Sequence, residues 1–240
     1  MAAVTAVAWA YLVRESQRMA MATDAMDHMA HGSAAGLGLR IAMWAAMMIG
    51  MMIPTALPMT LVYGAVARRA REHQSPLPPT SVFVAGYVVV WSVFSVAAAL
   101  AQQTLDQASL LSSAMASNNS RLGGALLVAA GVYQLTPLKQ SCLRNCRSPA
   151  EFLSHYWRGG GTVGAMRLGV RHGLYCLGCC WVLMGLLFVV GVMNLFWVAI
   201  IAVFVLVEKT LPYGRLGGRV VGICLALLGL AGLTGIMSIG

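Results

Sequence analysis

Acidic residues are scarce in this sequence. Asp and Glu together number 7 in 240 residues, and charged residues of both signs make up only 10%. Soluble domains carry about 25% charged residues, so a large water-facing surface is not what this composition builds. The familiar catalytic constellations are also missing. No pair of carboxylates falls within one apolar segment, no glycine-rich phosphate loop follows a strand, and no HExxH occurs. Nor is there a fixed-period repeat or a low-complexity segment. These absences remove the common hydrolase and nucleotide-binding classes and leave the question of an enzymatic activity open.

What the sequence does have is apolar length. Hydrophobic residues make up 59% of the chain. A helix needs about 20 mostly apolar residues to cross a bilayer, so the chain has room for roughly seven crossings and no separate soluble domain. The expected fold is all-α, a polytopic transmembrane helix bundle of about seven spans forming a single integral membrane domain over residues 1–240. The spans are read at residues 2–13, 40–67, 80–101, 123–138, 170–191, 195–207 and 220–238. The first run lacks a basic leader, and Arg14 and Glu15 stand where a small-residue cleavage site would be. It is therefore read as a span and not a signal peptide. Its apolar stretch falls short of a full crossing, and its true start is left open. Pro54 and Pro58 predict a kink in the second span, because proline removes a backbone donor. Pro76, Pro78 and Pro79 predict a loop.

The net charge of +9 raises nucleic acid as a partner, but that requires a basic face on a folded domain. Here the positive residues lie between apolar runs, which is an orientation signal, so no nucleic-acid partner is expected. With the N-terminus in the cytoplasm, twelve Lys and Arg fall inside: Arg68, Arg69, Arg71, Lys139, Arg144, Arg147, Arg158, Arg167, Arg171, Lys209, Arg215 and Arg219. Arg14, Arg18, Arg40 and Arg121 fall outside. The expected location is a multi-pass protein of the bacterial inner membrane, with the lipid bilayer as its first partner.

Six cysteines are present, and five lie near the expected cytoplasmic face. Cytosolic thiols are kept reduced, which disfavours a disulfide framework there. Cys142 and Cys146 are four apart and share a face if helical. Cys176, Cys179 and Cys180 share a helix face by the same rule, and His172 lies four residues before Cys176. Soft thiolates suit Cu(I), Zn(II) or iron–sulfur chemistry. The competing reading is that these are small residues that pack well, and Cys224, standing alone, is read that way.

A second set combines methionine and histidine. The stretch MAMATDAMDHMAHG carries Met26, His28, Met29 and His31 in an outer loop. Thioethers are poor ligands for hard cations but suit Cu(I), and imidazole suits either copper state. The loop leads into MWAAMMIGMM, where Met43, Met47 and Met51 are spaced four apart on one helix face. Such a stripe also fills irregular gaps in a core. Tyr133, Gln134, Glu208 and Lys209 are read by default as anchors or helix contacts, with Gln134 facing the bundle because an amide is costly in lipid.

The segments MWAAMMIGMMIPTALP, AAGVYQLTPLKQSCLRNCRSP, HGLYCLGCCWVLMGLLFVVGVMNL and VEKTLPYG resemble the signature blocks of a bacterial family, from about Met43 to Gly214. It is the family of predicted metal-binding integral membrane proteins, domain of unknown function 2182. The resemblance implies metal binding in the membrane, sometimes labelled as a copper chaperone, without a settled reaction. The expectation is a protein that handles or delivers copper across or within the membrane, with zinc or iron as other candidate ions. The alternative is an accessory or assembly subunit of a membrane oxidoreductase, working with membrane protein partners.

Overall fold

A computed structural model describes residues 2–21, 34–73, 77–108, 120–157, 159, 161–192 and 194–234. Among these the regular structure is helical throughout, in eleven elements. They are α1 (Ala2–Met21), α2 (Ala34–Thr55), α3 (Leu57–Glu72), α4 (Thr80–Gln107), α5 (Ser120–Leu135), α6 (Pro137–Arg147), α7 (Pro149–Tyr156), α8 (Gly161–Gly185), α9 (Leu187–Val190), α10 (Leu195–Thr210) and α11 (Gly214–Leu233).

Four stretches are long and apolar enough to cross a membrane: Gly36–Thr55, Thr80–Gln107, Gly161–Val190 and Gly214–Leu233. Ala2–Arg14 and Arg121–Leu135 are apolar but shorter, and α10 has only 16 residues. The sequence reading of seven spans thus meets the length requirement in four described helices. The others fall below the roughly 20 residues a straight crossing needs.

Three boundaries differ from the sequence reading for identifiable reasons. The second span does not run unbroken to residue 67. α2 ends at Thr55 and α3 begins at Leu57, because Pro58 has no N–H and its ring crowds the carbonyl four residues earlier. Between the fourth and fifth spans, where the span bounds leave a connecting loop, lie two short helices. Thr136 caps α6 by accepting from the Lys139 backbone N–H at 3.3 Å, and Pro137 and Pro149 sit in the first turns of α6 and α7. The fifth span starts at Gly161 and not near residue 170. Arg167 and Arg171, which read as loop charges, lie within α8, and the Arg171 guanidinium covers the Tyr156 ring at 4.1 Å.

Two close helix pairs frame the bundle. α4 and α8 cross where Gly86 and Gly169 bring the backbones together: a Cβ on either would collide with the other helix's main chain. α5 and α11 run antiparallel along a seam where Gly131 faces Gly222 and Ala226. Small residues at such seams let membrane helices approach closely. α2 runs antiparallel to α4. Arg40 pairs with Asp106 at 2.6 Å at one end, the Trp44 indole donates to Gln102 at 2.7 Å, and Tyr87 donates to the Met52 carbonyl at 2.9 Å toward the other. The outward surface carries Val89, Val93, Leu174, Phe196, Val203, Val220 and Leu227, all exposed. That apolar exterior is what a lipid-facing bundle presents.

Candidate metal centre

The α2–α3 break is where the polar chemistry of the interior collects. The Met52 carbonyl, near the end of α2, accepts from the Thr55 hydroxyl at 2.9 Å as well as from Tyr87 of α4. The Tyr87 oxygen also lies 3.0 Å from Cys176 Sγ on α8. From α10, Lys209 Nζ donates to the same sulfur at 2.8 Å and to Thr55 Oγ1 at 3.2 Å. Cys176 is therefore the point where α2, α4, α8 and α10 meet.

The other thiols surround it. Cys179 and Cys180 both point back along α8 and each contacts the Cys176 carbonyl at 3.0 Å. Cys179 and Cys180 thus converge on one carbonyl from the same turn of α8. Cys146, on α6, is buried in the same core as Cys176, Cys179 and Cys180, and the Cys179 sulfur together with burial holds its thiol well above the ordinary range. Cys142, one turn earlier, is half-buried against α8 at Gly178, where a Cβ would lie 2.8 Å from its sulfur. Burial, and then the Cys179 sulfur, raise its thiol too. All six cysteines are free thiols, and Cys224 faces outward.

Met43, Met47 and Met51 line the same core as these thiols, each no more than 4% exposed, with Met48, Met52 and Met184 fully enclosed beside them. The methionine stripe thus faces inward and is continuous with the cysteine cluster. His172 is buried one turn below Cys176, among the rings of Phe83, Tyr87 and Phe152 at 5.4–5.9 Å between centroids. Its Nδ1 finds no hydrogen-bond partner. Met26, His28, Met29 and His31 lie outside the described residues.

Among the described residues, no group of three or more His, Cys, Asp or Glu side chains forms a preset metal cage. The donors gathered here are instead a mixed set of thiols and thioethers, with few oxygen ligands. Such a set fits a soft ion, which tolerates two or three sulfurs, and does not fit Mg(II) or Ca(II).

Sequence reasoning did not single out Tyr87 or Thr55, and it read Lys209 as an anchor. Thr55 stands beside the two prolines that mark the break, a usable cue. Lys209 carries the cue of a charge closing an apolar run. Tyr87 carries none, since its contact with Cys176 spans 89 positions of sequence.

A second polar knot lies beside the first. Lys139 of α6 and Glu208 of α10 form a buried ion pair, and Lys139 also donates to Gln134. Arg147 of α6 donates to the carbonyls of Glu208, Leu211 and Pro212 at 3.3, 2.6 and 3.1 Å, closing the end of α10. These contacts lock α6, and with it Cys142 and Cys146, against the helix that carries Lys209.

Residues 41–232 match the model of the PpoB2 family, described as a copper chaperone. Comparison with curated proteins and with solved structures found no match.

Proposed function

We propose that this chain, which belongs to the copper-chaperone family that residues 41–232 match, carries Cu(I) as cargo on the thiols around Cys176 within a membrane-embedded helix bundle. The observation that carries the reading is Cys176 itself. It is a buried sulfur touched by Tyr87 and Lys209, with Cys179 and Cys180 directed at its own carbonyl and Cys146 closing from α6. Copper is supported by the family and by the donor type, whereas nothing in the comparisons supports zinc or iron. The likeness to the metal-binding membrane family named from the sequence points the same way.

In this reading Cys146, Cys176, Cys179 and Cys180 supply the thiolates, and Met51 and its neighbours on α2 supply thioethers along the approach. The Lys209 ammonium balances negative charge on the sulfurs before the ion arrives, and Tyr87 and Thr55 hold Cys176 and Lys209 in place. Cys142 stands toward the surface and is suited to pass the ion on. His172 is close enough in the helix to join only if its ring turns out of its aromatic box. The outer Met/His stretch, with Met26, His28, Met29 and His31, would collect the ion, and the stripe of Met43, Met47 and Met51 would admit it. The bundle lies in the inner membrane with its Lys209 end toward the cytoplasm. The alternative, an accessory subunit of a membrane oxidoreductase, draws no support from the site or from the family.

The test is copper stoichiometry in detergent-purified protein under reductant, read by elemental mass spectrometry. Wild type takes up Cu(I), and the Cys176→Ser/Cys179→Ser/Cys180→Ser variant loses most of it while keeping its helical circular dichroism. Full stoichiometry in that variant would refute the site.

A further inference from the structure

The end of the bundle that carries Lys209 also holds a concavity which the copper chemistry does not use. The C-terminus of α5, the outer side of α6 and the first turns of α11 border an open groove of about 390 Å³. Its polar lining is Gln140, Ser141, Arg144, Arg215 and Arg219, and Leu135 forms its apolar edge. Nearly every one of those polar groups is a donor. The three guanidiniums are exposed, and no carboxylate among the described residues forms an ion pair with any of them. The side-chain nitrogen of Gln140 is buried and has no acceptor.

Arg147 shows what an employed arginine looks like here: one turn further along α6, it is taken up by three carbonyls. Arg144, Arg215 and Arg219 have no such task. Glu151 lines the separate cavity on the far side of Arg144 without pairing with it. An orientation signal requires only that positive residues be on one side of the membrane. It does not require that α6 and α11, some seventy residues apart, bring three arginines around one hollow.

We propose that this hollow binds the headgroup of an anionic phospholipid from the leaflet at the Lys209 end. Arginine forks match phosphate oxygens in pairs, and basic pockets between membrane helices on the cytoplasmic side are where acidic headgroups dock. The choice of a lipid over free phosphate rests on what borders the hollow. Leu135, Leu138, Leu216 and Val220 are 45–62% exposed, and they continue the groove's apolar edge onto the outer faces of α5, α6 and α11. An acyl chain lying there would cover surface that an inorganic ion leaves bare. The lipid would also tie α6, the carrier of Cys142 and Cys146, to α11.

The experiment is native mass spectrometry of the full chain in detergent, titrated with phosphatidylglycerol or with phosphatidylcholine of the same chains. The wild type is expected to retain the anionic lipid at least about tenfold better. Arg144→Gln/Arg215→Gln/Arg219→Gln is expected to lose that preference, whereas Arg68→Gln/Arg69→Gln/Arg71→Gln, at another basic cluster, keeps it. Unchanged copper uptake and circular dichroism show that the first variant is folded, and they separate this test from that of the metal site. Equal retention of the two lipids by wild type, or a preference that survives in the first variant, overturns the proposal. Displacement of phosphatidylglycerol by millimolar inorganic phosphate would reassign the hollow to a free anion and overturn the lipid as well.

Discussion

Lys139 and Glu208 are 0% and 2% exposed, and they face each other across α6 and α10 with Gln134 as a third partner. A buried ion pair contributes little net stability against a hydrophobic replacement, but removing one partner strands the other charge, at a typical cost of about 3–5 kcal/mol. Lys139→Met alone and Glu208→Gln alone are therefore each expected to lower the unfolding midpoint in a denaturing-detergent titration sharply. The double variant should recover most of the loss. If the single and double variants unfold together, the pair does not hold α6 in place. The sequence reading took Glu208 and Lys209 as adjacent anchors or helix contacts at the end of one apolar run. In the structure they point to different partners, Glu208 to Lys139 and Lys209 to Cys176. Adjacent residues on a helix project about 100° apart, so a charge's partner is set by which helix packs on that side. That information is not in the local sequence.

At the scale of elements, the long apolar runs and the proline break were legible, because hydrophobic length and the missing proline N–H act locally. The cysteine faces were legible as well, since residues three and four apart on a helix must coincide. The helices at α6 and α7 were hidden by their polarity, and the early start of α8 was hidden by its two arginines. Which helices pair was not legible, although glycines marked the seams. Gly131→Ala and Gly217→Ala lie on different helices of one such pair and make a clean comparison. A Cβ at Gly131 would be 2.5 Å from α11 backbone, whereas one at Gly217 meets nothing within 4 Å. Overpacking of this kind costs about 1–3 kcal/mol, whereas alanine at an open helical position gains up to about 1 kcal/mol. Gly131→Ala is expected to lower the midpoint of unfolding and Gly217→Ala to leave it level or raise it. Equal effects would mean that α5 and α11 are not in close contact.

For the molecule as a whole, the ends of the bundle differ in charge in a way that predicts its orientation. The Arg40–Asp106 pair closes one end. The opposite end collects Lys139, Arg144, Arg147, Lys209, Arg215 and Arg219 from α6, α10 and α11. The antiparallel course of α2 against α4, and of α5 against α11, places these groups at opposite ends without any appeal to the charge count. Because cytoplasmic loops retain Lys and Arg, the Lys209 end should face the cytoplasm, and with it Cys142 and Cys146. Reporter fusions read this directly. A green fluorescent protein fused after His73 should fluoresce, and alkaline phosphatase fused there should be inactive. After Ala108 the pattern should reverse. If the two positions report the opposite sides, the Arg40–Asp106 end faces the cytoplasm and the orientation read from Lys and Arg is overturned. If both report the same side, α4 does not cross, and the helix that supplies Tyr87 to Cys176 would have to reach it from one leaflet only.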